Sequence, residues 1–510
     1  MKATAPGWTA VISAVFVAGL GAASILLGGP PAPVPSSAPP SAFSAGRAMA
    51  HVEQIAQRPH PVGSADHARV IDYLVSALEQ IGLKAERQPA VARRGTTTVR
   101  MARLENIAAR IAGTGSTGAV LLASHYDSVP AAPGAADAGS GVAAILEAAR
   151  AFRTGPPPRN DIILLFTDGE ELGLLGARAF VEQHPWAKDV RMTLNFEARG
   201  TSGPSWMFET SAQNGAVVAE WASLVPKPAG SSLTGEIYQR LPNDTDFTEF
   251  KRLKTAGLNF AFVGDVERYH TPGDDVAALD RGSLQHHGEA ALRLMRQFAS
   301  MDLGELQARD AVYFTVPLPG VAVRYSSVWA LPLATAAALM FVAGVVRARR
   351  RREASIGGII LAVVIFAGFA GASGYFGWRF GRLAGMLHER WLLPGNVLLS
   401  APYAGTMVAL VVAAWLALYV LLRKLLAARS IALGAAFVLL VAAALSSWFA
   451  AGASYVATWP LLGAALAVAV SLGRRDAPPD LAPSAGKALA VAALAAPAVL
   501  VLAPLVHALF

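Results

Sequence analysis

Two hydrophobic periodicities divide the chain. Between residues 45 and 301, short apolar runs alternate with segments whose apolar residues recur three or four apart. Residues 119–123, 162–166, 191–196 and 258–263 read as buried strands, each followed by polar residues. Residues 45–57, 64–81, 139–150 and 279–301 have helical spacing, and Gly82 stops the second of these. Residues 99–112 alternate loosely, as strands leading into a sheet do. Residues 243–247 open a further helix whose acids, Asp244 and Asp246, suit N-caps. In residues 121–180 the order strand, polar tip, helix occurs twice. An α/β sheet displays chemistry at its strand ends in this way. The expected fold is a mixed, mostly parallel central sheet flanked by helices.

After residue 311 the pattern becomes membrane-like. Apolar segments cover residues 328–346, 356–377, 407–422, 431–450, 455–472 and 488–510, and we count six spans, an all-α transmembrane bundle. Residues 8–29 are also continuously apolar, long enough for an anchor across ~30 Å or for a signal segment. The expected organisation is therefore an anchor over 1–29, a Pro-rich linker over 30–42, a folded domain over 43–310 and the spans over 311–510. The linker reads as extended and poorly packed.

Composition sharpens this division. The 510 residues are 54% hydrophobic with net charge +8, too apolar for a wholly soluble protein. Much of the basic excess sits beside the spans: Arg347 and Arg349 to Arg352, then Arg423, Lys424 and Arg429, then Arg474 and Arg475. Basic residues in alternate loops place those loops in the cytoplasm, and the connection 378–398 and the folded domain on the other side. Lys2 at the N-terminus agrees. No basic and aromatic stripe argues for nucleic acid, and no ionisable cluster in mid-span argues for ion transport. The chain has no cysteine, which excludes thiolate metal sites, disulfides and a Cys nucleophile. An Ala- and Arg-rich chain with no cysteine also points to a bacterial inner membrane, with the domain in the periplasm.

The strand tips carry the candidate chemistry. His125 and Asp127 end the first strand of the repeated unit, Asp137 lies on the loop after it, and Glu170 and Glu171 follow the second. Imidazole with carboxylate suits divalent metals, zinc above all. Asp127 is close enough in sequence to orient the His125 imidazole. Asp137 is placed to bridge two ions, while one of Glu170 and Glu171 binds metal and the other takes a proton. His60 and His67 read as loop or surface residues, and His286 and His287 as solvated.

The segments S-H-Y-D-S, A-D-A-G-S-G-V-A, F-T-D-G-E-E-L-G-L-L-G-A, N-F-E-A-R-G and R-Y-H-T-P-G-D-D occur in that order. They resemble the signature blocks of the M28 family of co-catalytic zinc peptidases, over roughly residues 48–301. The resemblance implies a zinc-exopeptidase-like fold with two zinc ions. His125, Asp137 and Glu197 would hold one ion; Asp137, Glu171 and His270 would hold the other. Glu170 would be the general base, with Asp127 supporting His125. Many members carry Asp where Glu197 stands, and the longer side chain resembles the endoplasmic-reticulum branch. Tyr269, beside His270, is placed to donate to an oxyanion.

These features imply a membrane-anchored peptidase, an aminopeptidase first, with a peptide substrate and a lipid bilayer as partners. Three rivals remain: a single-zinc glutaminyl cyclase, a carboxypeptidase, and a non-catalytic peptidase-like binding or chaperone protein. No Arg cluster that would clamp a substrate carboxylate is visible along the chain.

Overall fold

The computed structural model describes residues 6–387, 392–393, 396–397, 401–471 and 485–509. They fall into two compact units. One comprises residues 28–315 and 319–326; the other contains the apolar helices at both ends of the chain.

The first unit is built on an eight-stranded sheet: β1 (Glu86–Arg94), β2 (Arg100–Ile111), β3 (Ala119–His125), β4 (Asp161–Thr167), β5 (Val190–Ala198), β6 (Trp206–Thr210), β7 (Ala229–Gly230) and β8 (Ala256–Phe262). The spatial order is β1-β2-β4-β3-β5-β8-β6-β7. Strands β4, β3, β5 and β8 run parallel at the centre, and β2 and β6 pair antiparallel on either side. Every residue of β3, β4 and β8 is buried. Helices cover both faces of such strands, which is why their sequences are nearly unbroken apolar runs rather than alternating ones. The helices Ala45–Ile55, Gly139–Phe152 and Arg281–Ser300 join the core on one face. The other face packs against Ala177, Phe180 and Phe250. The four parallel strands consequently deliver their carboxyl ends to one edge, with His125 of β3 level with Thr167 of β4.

Local chemistry sets several boundaries. Ser44, Ser64 and Asp280 accept the backbone N–H three residues ahead and start three helices. Gly82, at φ 73°, ends the helix Ala65–Gln80. Strands β1, β6 and β7 are additions to the pattern. β1 is a charged, largely exposed edge containing Pro89, so it lacks an apolar signature.

Other expectations need correction. The helix after Glu171 begins only at Leu175, because Gly173 (φ 113°) and Leu174 (φ 60°) continue a turn. That turn is closed by Glu170 O, which accepts from Gly173 N at 2.7 Å and Leu174 N at 2.8 Å. β5 extends to Ala198, so Glu197 lies within the strand, paired with Ala261, rather than beyond its tip. In the short helix Asp246–Phe250 neither acid caps: Asp244 pairs with Arg94, and buried Asp246 accepts from the Thr167 hydroxyl. Residues 30–42 are not loose. Arg47 donates to the carbonyls of Ser36, Ala38 and Ala42, Arg296 to Ser41, and Gln285 accepts from Val34 N. Side chains of the folded unit supply the bonds that an isolated extended segment lacks. His286 and His287 are fully buried, not solvated, because Ser205 satisfies both Nδ1 atoms.

Among the described residues of the second unit, four helices are long and apolar enough to cross a membrane: Ser327–Arg350, Ile356–Leu383, Gly405–Leu425 and Ala428–Phe449. Val11–Leu27 and Tyr455–Val470 are shorter apolar helices. The second long helix continues to Leu387, so part of the expected connection 378–398 is helical. The expected last span is two helices, Ala485–Leu494 and Ala496–Leu509, broken just ahead of Pro497, whose ring disfavours helical backbone before it. Lys2, Arg474 and Arg475 lie outside the described residues. Two of the basic loops meet: Glu353 pairs with Arg429 at 3.3 Å, and Ser430 Oγ accepts from Ser355 N at 3.3 Å.

Candidate metal centre

Five side chains that are far apart in sequence converge at the carboxyl edge of the sheet. His125 Nε2 lies 3.2 Å from Asp137 Oδ1 and 3.4 Å from Glu197 Oε2. His270 Nε2 lies 3.1 Å from the other Asp137 oxygen, Oδ2, and 3.0 Å from Glu171 Oε1. The donors therefore sort into two trios that share only Asp137, one oxygen in each. Donor atoms of His125, Asp137 and Glu171 all lie within 4.8 Å of one another.

Each donor is fixed by a neighbour. His125 Nδ1 is 3.0 Å from the backbone oxygen of Asp127, so it carries a proton and turns Nε2 toward the carboxylates. The Asp127 carboxylate is farther from that ring, at 3.7 Å. Its oxygens instead accept the backbone N–H groups of Glu170 and Glu171 at 3.0 and 3.2 Å. Asp274 acts in the same way on the other loop, accepting from Ala136 N at 2.7 Å and Asp137 N at 3.2 Å. Asn195 donates to Glu197 Oε1 at 3.1 Å. His67, buried on its helix rather than at the surface, bonds Asp168 at 2.7 Å. Asp168 also accepts Glu105 N and donates its own N–H to Asn106, which pins the turn leading into Glu170. His60 lies in a loop but is buried, its N–H bonded to Ser128.

His270 has left-handed backbone, φ 58°, an arrangement that costs about 1 kcal/mol or more outside glycine and recurs at functional positions. Turn bonds from Tyr269 N to Val266 O and from Asp274 N to Thr271 O hold it. The Tyr269 ring stacks on the imidazole with centroids 3.7 Å apart.

The charges are mutually frustrated. Burial pushes the Glu170 carboxyl well above the ordinary range. Burial and the Asp137 charge raise Glu171 to about 7. Burial opposes a charged His270, yet Asp137 and Glu171 carry it up to about 10. Burial likewise opposes an ionised Asp137, and His125 and His270 together hold it below the carboxylate range. Protons on imidazole thus stand in for a cation among crowded carboxylates.

A zinc ion fits this donor set. Bonds of ~2.0–2.1 Å at tetrahedral angles place neighbouring ligands about 3.3 Å apart, and the four contacts above span 3.0–3.4 Å. Asp137 Oδ2 and His270 Nε2 are buried without a hydrogen-bond partner, despite their 3.1 Å separation. Misaligned donor atoms at that distance are what a shared ion between them explains.

The site opens into a cavity of about 220 Å³ lined by Asp137, Glu170, Glu171, Glu197 and Tyr269, with Phe208 and Tyr238 among its walls. Three arginines also face it: Arg94, Arg100 and Arg199. They come from β1, from β2 and from just beyond β5, a grouping that no linear stretch of sequence displays.

Residues 106–295 match the model of Peptidase family M28. The chain is 32% identical over 267 residues to a vacuolar membrane protease of Candida albicans (strain WO-1), covering 52% of this chain and 31% of that protein. It is 31% identical over 210 residues to endoplasmic reticulum metallopeptidase 1 of Mus musculus, covering 40% of this chain and 23% of that protein. The chain thus spans less than a third of the length of these curated relatives. Among solved structures, an aminopeptidase from Aneurinibacillus sp. strain AM-1 is 14% identical, with TM-score 0.42, covering 52% of this chain and 96% of that one.

Proposed function

Since residues 106–295 are a peptidase family M28 domain, we propose that this chain is a membrane-anchored exopeptidase with two zinc ions, acting as an aminopeptidase. The observation that carries the reading is the division of Asp137: its two oxygens face separate donor trios, each with one histidine and one glutamate. His125, Asp137 and Glu197 hold one ion, and Asp137, Glu171 and His270 the other. Bound there, zinc supplies Lewis acidity and lowers the pKa of water toward ~7.

The chain's own residues do the rest. Glu170 sits beside the donors but outside both trios, so its carboxylate is free to take the proton of the attacking water and return it to the leaving amine. Asp127 holds the Glu170 and Glu171 amides, which keeps base and ligand in fixed register. Tyr269, packed on His270 and facing the cavity, donates to the developing oxyanion. The aromatic walls, Phe208 and Tyr238, exclude water from the substrate.

In this reading the protein is multi-pass, with the basic loops in the cytoplasm and the M28 domain on the opposite, periplasmic side. The contact between Glu353 and Arg429 supports a common side for the first two basic loops. Hydrolysis of aminoacyl-arylamides by the zinc-loaded full chain tests the activity. Cyclisation of N-terminal Gln peptides without hydrolysis would replace it with a glutaminyl cyclase.

A further inference from the structure

The arginines of the cavity are unequally occupied. Arg94 is engaged by Asp244 and, at 3.5 Å, by Glu249. The side chains of Arg100 and Arg199 have no ion pair or hydrogen bond among the described residues, although both residues line the cavity. Arg94 and Arg100 are direct partners across the β1–β2 ladder, a like-charge juxtaposition that Asp244 and Glu249 offset on the Arg94 side only.

Both unpaired arginines are held near the reacting groups. The Arg100 side chain lies over Gly173: a Cβ there would come within 3.3 Å of its Cδ and 3.4 Å of its Nη1. Gly173 closes the turn that carries Glu170 and Glu171. The Arg199 guanidinium lies 5.0 Å above the Tyr269 ring, and that ring stacks on His270. One guanidinium therefore stands beside the turn carrying the base and the other beside the His270 end of the donor set. A guanidinium fork matches a carboxylate in a way that neutral or cationic groups cannot.

We propose that Arg100 and Arg199 form a carboxylate-binding subsite in this cavity, so that the peptides taken carry an anionic group close to the bond that is cut. This rests on the hydrolase reading above and narrows its substrate class. The carboxylate comes either from the C-terminus of a very short peptide or from an acidic side chain.

The test separates binding from turnover. Zinc-loaded full chain carrying Glu170→Gln, in detergent, is titrated calorimetrically with Ala-Ala, Ala-Ala-amide and Ala-Glu-amide. Tighter binding of Ala-Ala than of its amide by about tenfold or more places a terminal carboxylate in the subsite. Tighter binding of Ala-Glu-amide than of Ala-Ala-amide places a side chain there. In either case Arg100→Gln and Arg199→Gln, at unchanged zinc content, each flatten the preference about tenfold, and Arg199→Lys restores part of it. Equal affinities for all three peptides would overturn the proposal, as would variants that weaken acid and amide alike. In that event the arginines only offset the charge of the donor carboxylates. A chain that binds as expected but hydrolyses nothing when Glu170 is present would retain the subsite and lose the peptidase reading.

Discussion

The Asp127 carboxylate accepts the backbone N–H of Glu170 at 3.0 Å, and its second oxygen accepts that of Glu171 at 3.2 Å. A residue two positions from the candidate metal donor His125 on β3 thereby sets the turn that follows β4. Asp274 repeats the arrangement between the His270 loop and Asp137. Two of the loops, those of Glu171 and Asp137, are thus each held by a carboxylate from another loop of the site, which braces it across the sheet rather than along the chain.

Cutting one brace should loosen the donors without unfolding the sheet. Asp127→Ala is expected to lower zinc affinity or turnover by about 10–100-fold, the usual size of such outer contacts. Competition with a chelator of known affinity measures the first effect. An unchanged zinc affinity together with unchanged turnover would remove Asp127 from this role.

The base can be separated from the ligands. Glu170→Gln keeps the side chain's size and should leave zinc content intact while lowering turnover roughly 10²–10⁴-fold. Retention of near-full activity would disqualify Glu170.

Acid stability should report on the buried histidine pair. Burial lowers His286 to about 4 and His287 to about 3. At His286 the Pro226 backbone opposes this and the Lys227 charge adds to it, at His287 the His286 charge adds to it, and among the described residues neither ring has a carboxylate partner. Both are neutral in the folded protein, whereas the unfolded chain takes up protons as pH falls below about 6.5. Their contribution is complete above that pH and declines as pH falls toward 4, by up to about 1.4 kcal/mol per pH unit for each histidine. His287→Gln should make the denaturation midpoint less steep in pH over that window. An unaltered slope would contradict the assignment.

The absence of native cysteine makes the topology directly accessible. A single cysteine at Glu353, between two long apolar helices, should react with a membrane-impermeant maleimide only from the cytoplasmic side. One at Gln57, exposed in the M28-bearing unit, should react only from the other. Labelling of both from one side would refute the proposed orientation.

How much of this was legible in the sequence follows from what each feature depends on. The central strands and their order of chemistry were visible because complete burial leaves unbroken apolar runs ending in His125, Thr167 and Phe262. The five candidate donors stood out because each lies in a short motif on a central strand or on the loop that follows one. What joins them was not. His67 looked like a surface residue because its partner, Asp168, is about a hundred positions away, and the fold alone brings them to 2.7 Å. The facing of Arg94 and Arg100 depends on hairpin register, and Arg199 meets them only through sheet order. The burial of His286 and His287 is not legible, because a histidine pair on a helix gives no sign that Ser205 will bond both Nδ1 atoms.

The most direct measurement is the zinc content of the purified full chain, determined by elemental analysis alongside two variants. The account predicts about two zinc ions per chain, about one after His270→Ala, and loss of both after Asp137→Ala, since only Asp137 serves both trios. A wild-type chain that holds a single ion, or a His270→Ala chain that holds as much zinc as the wild type, would contradict it.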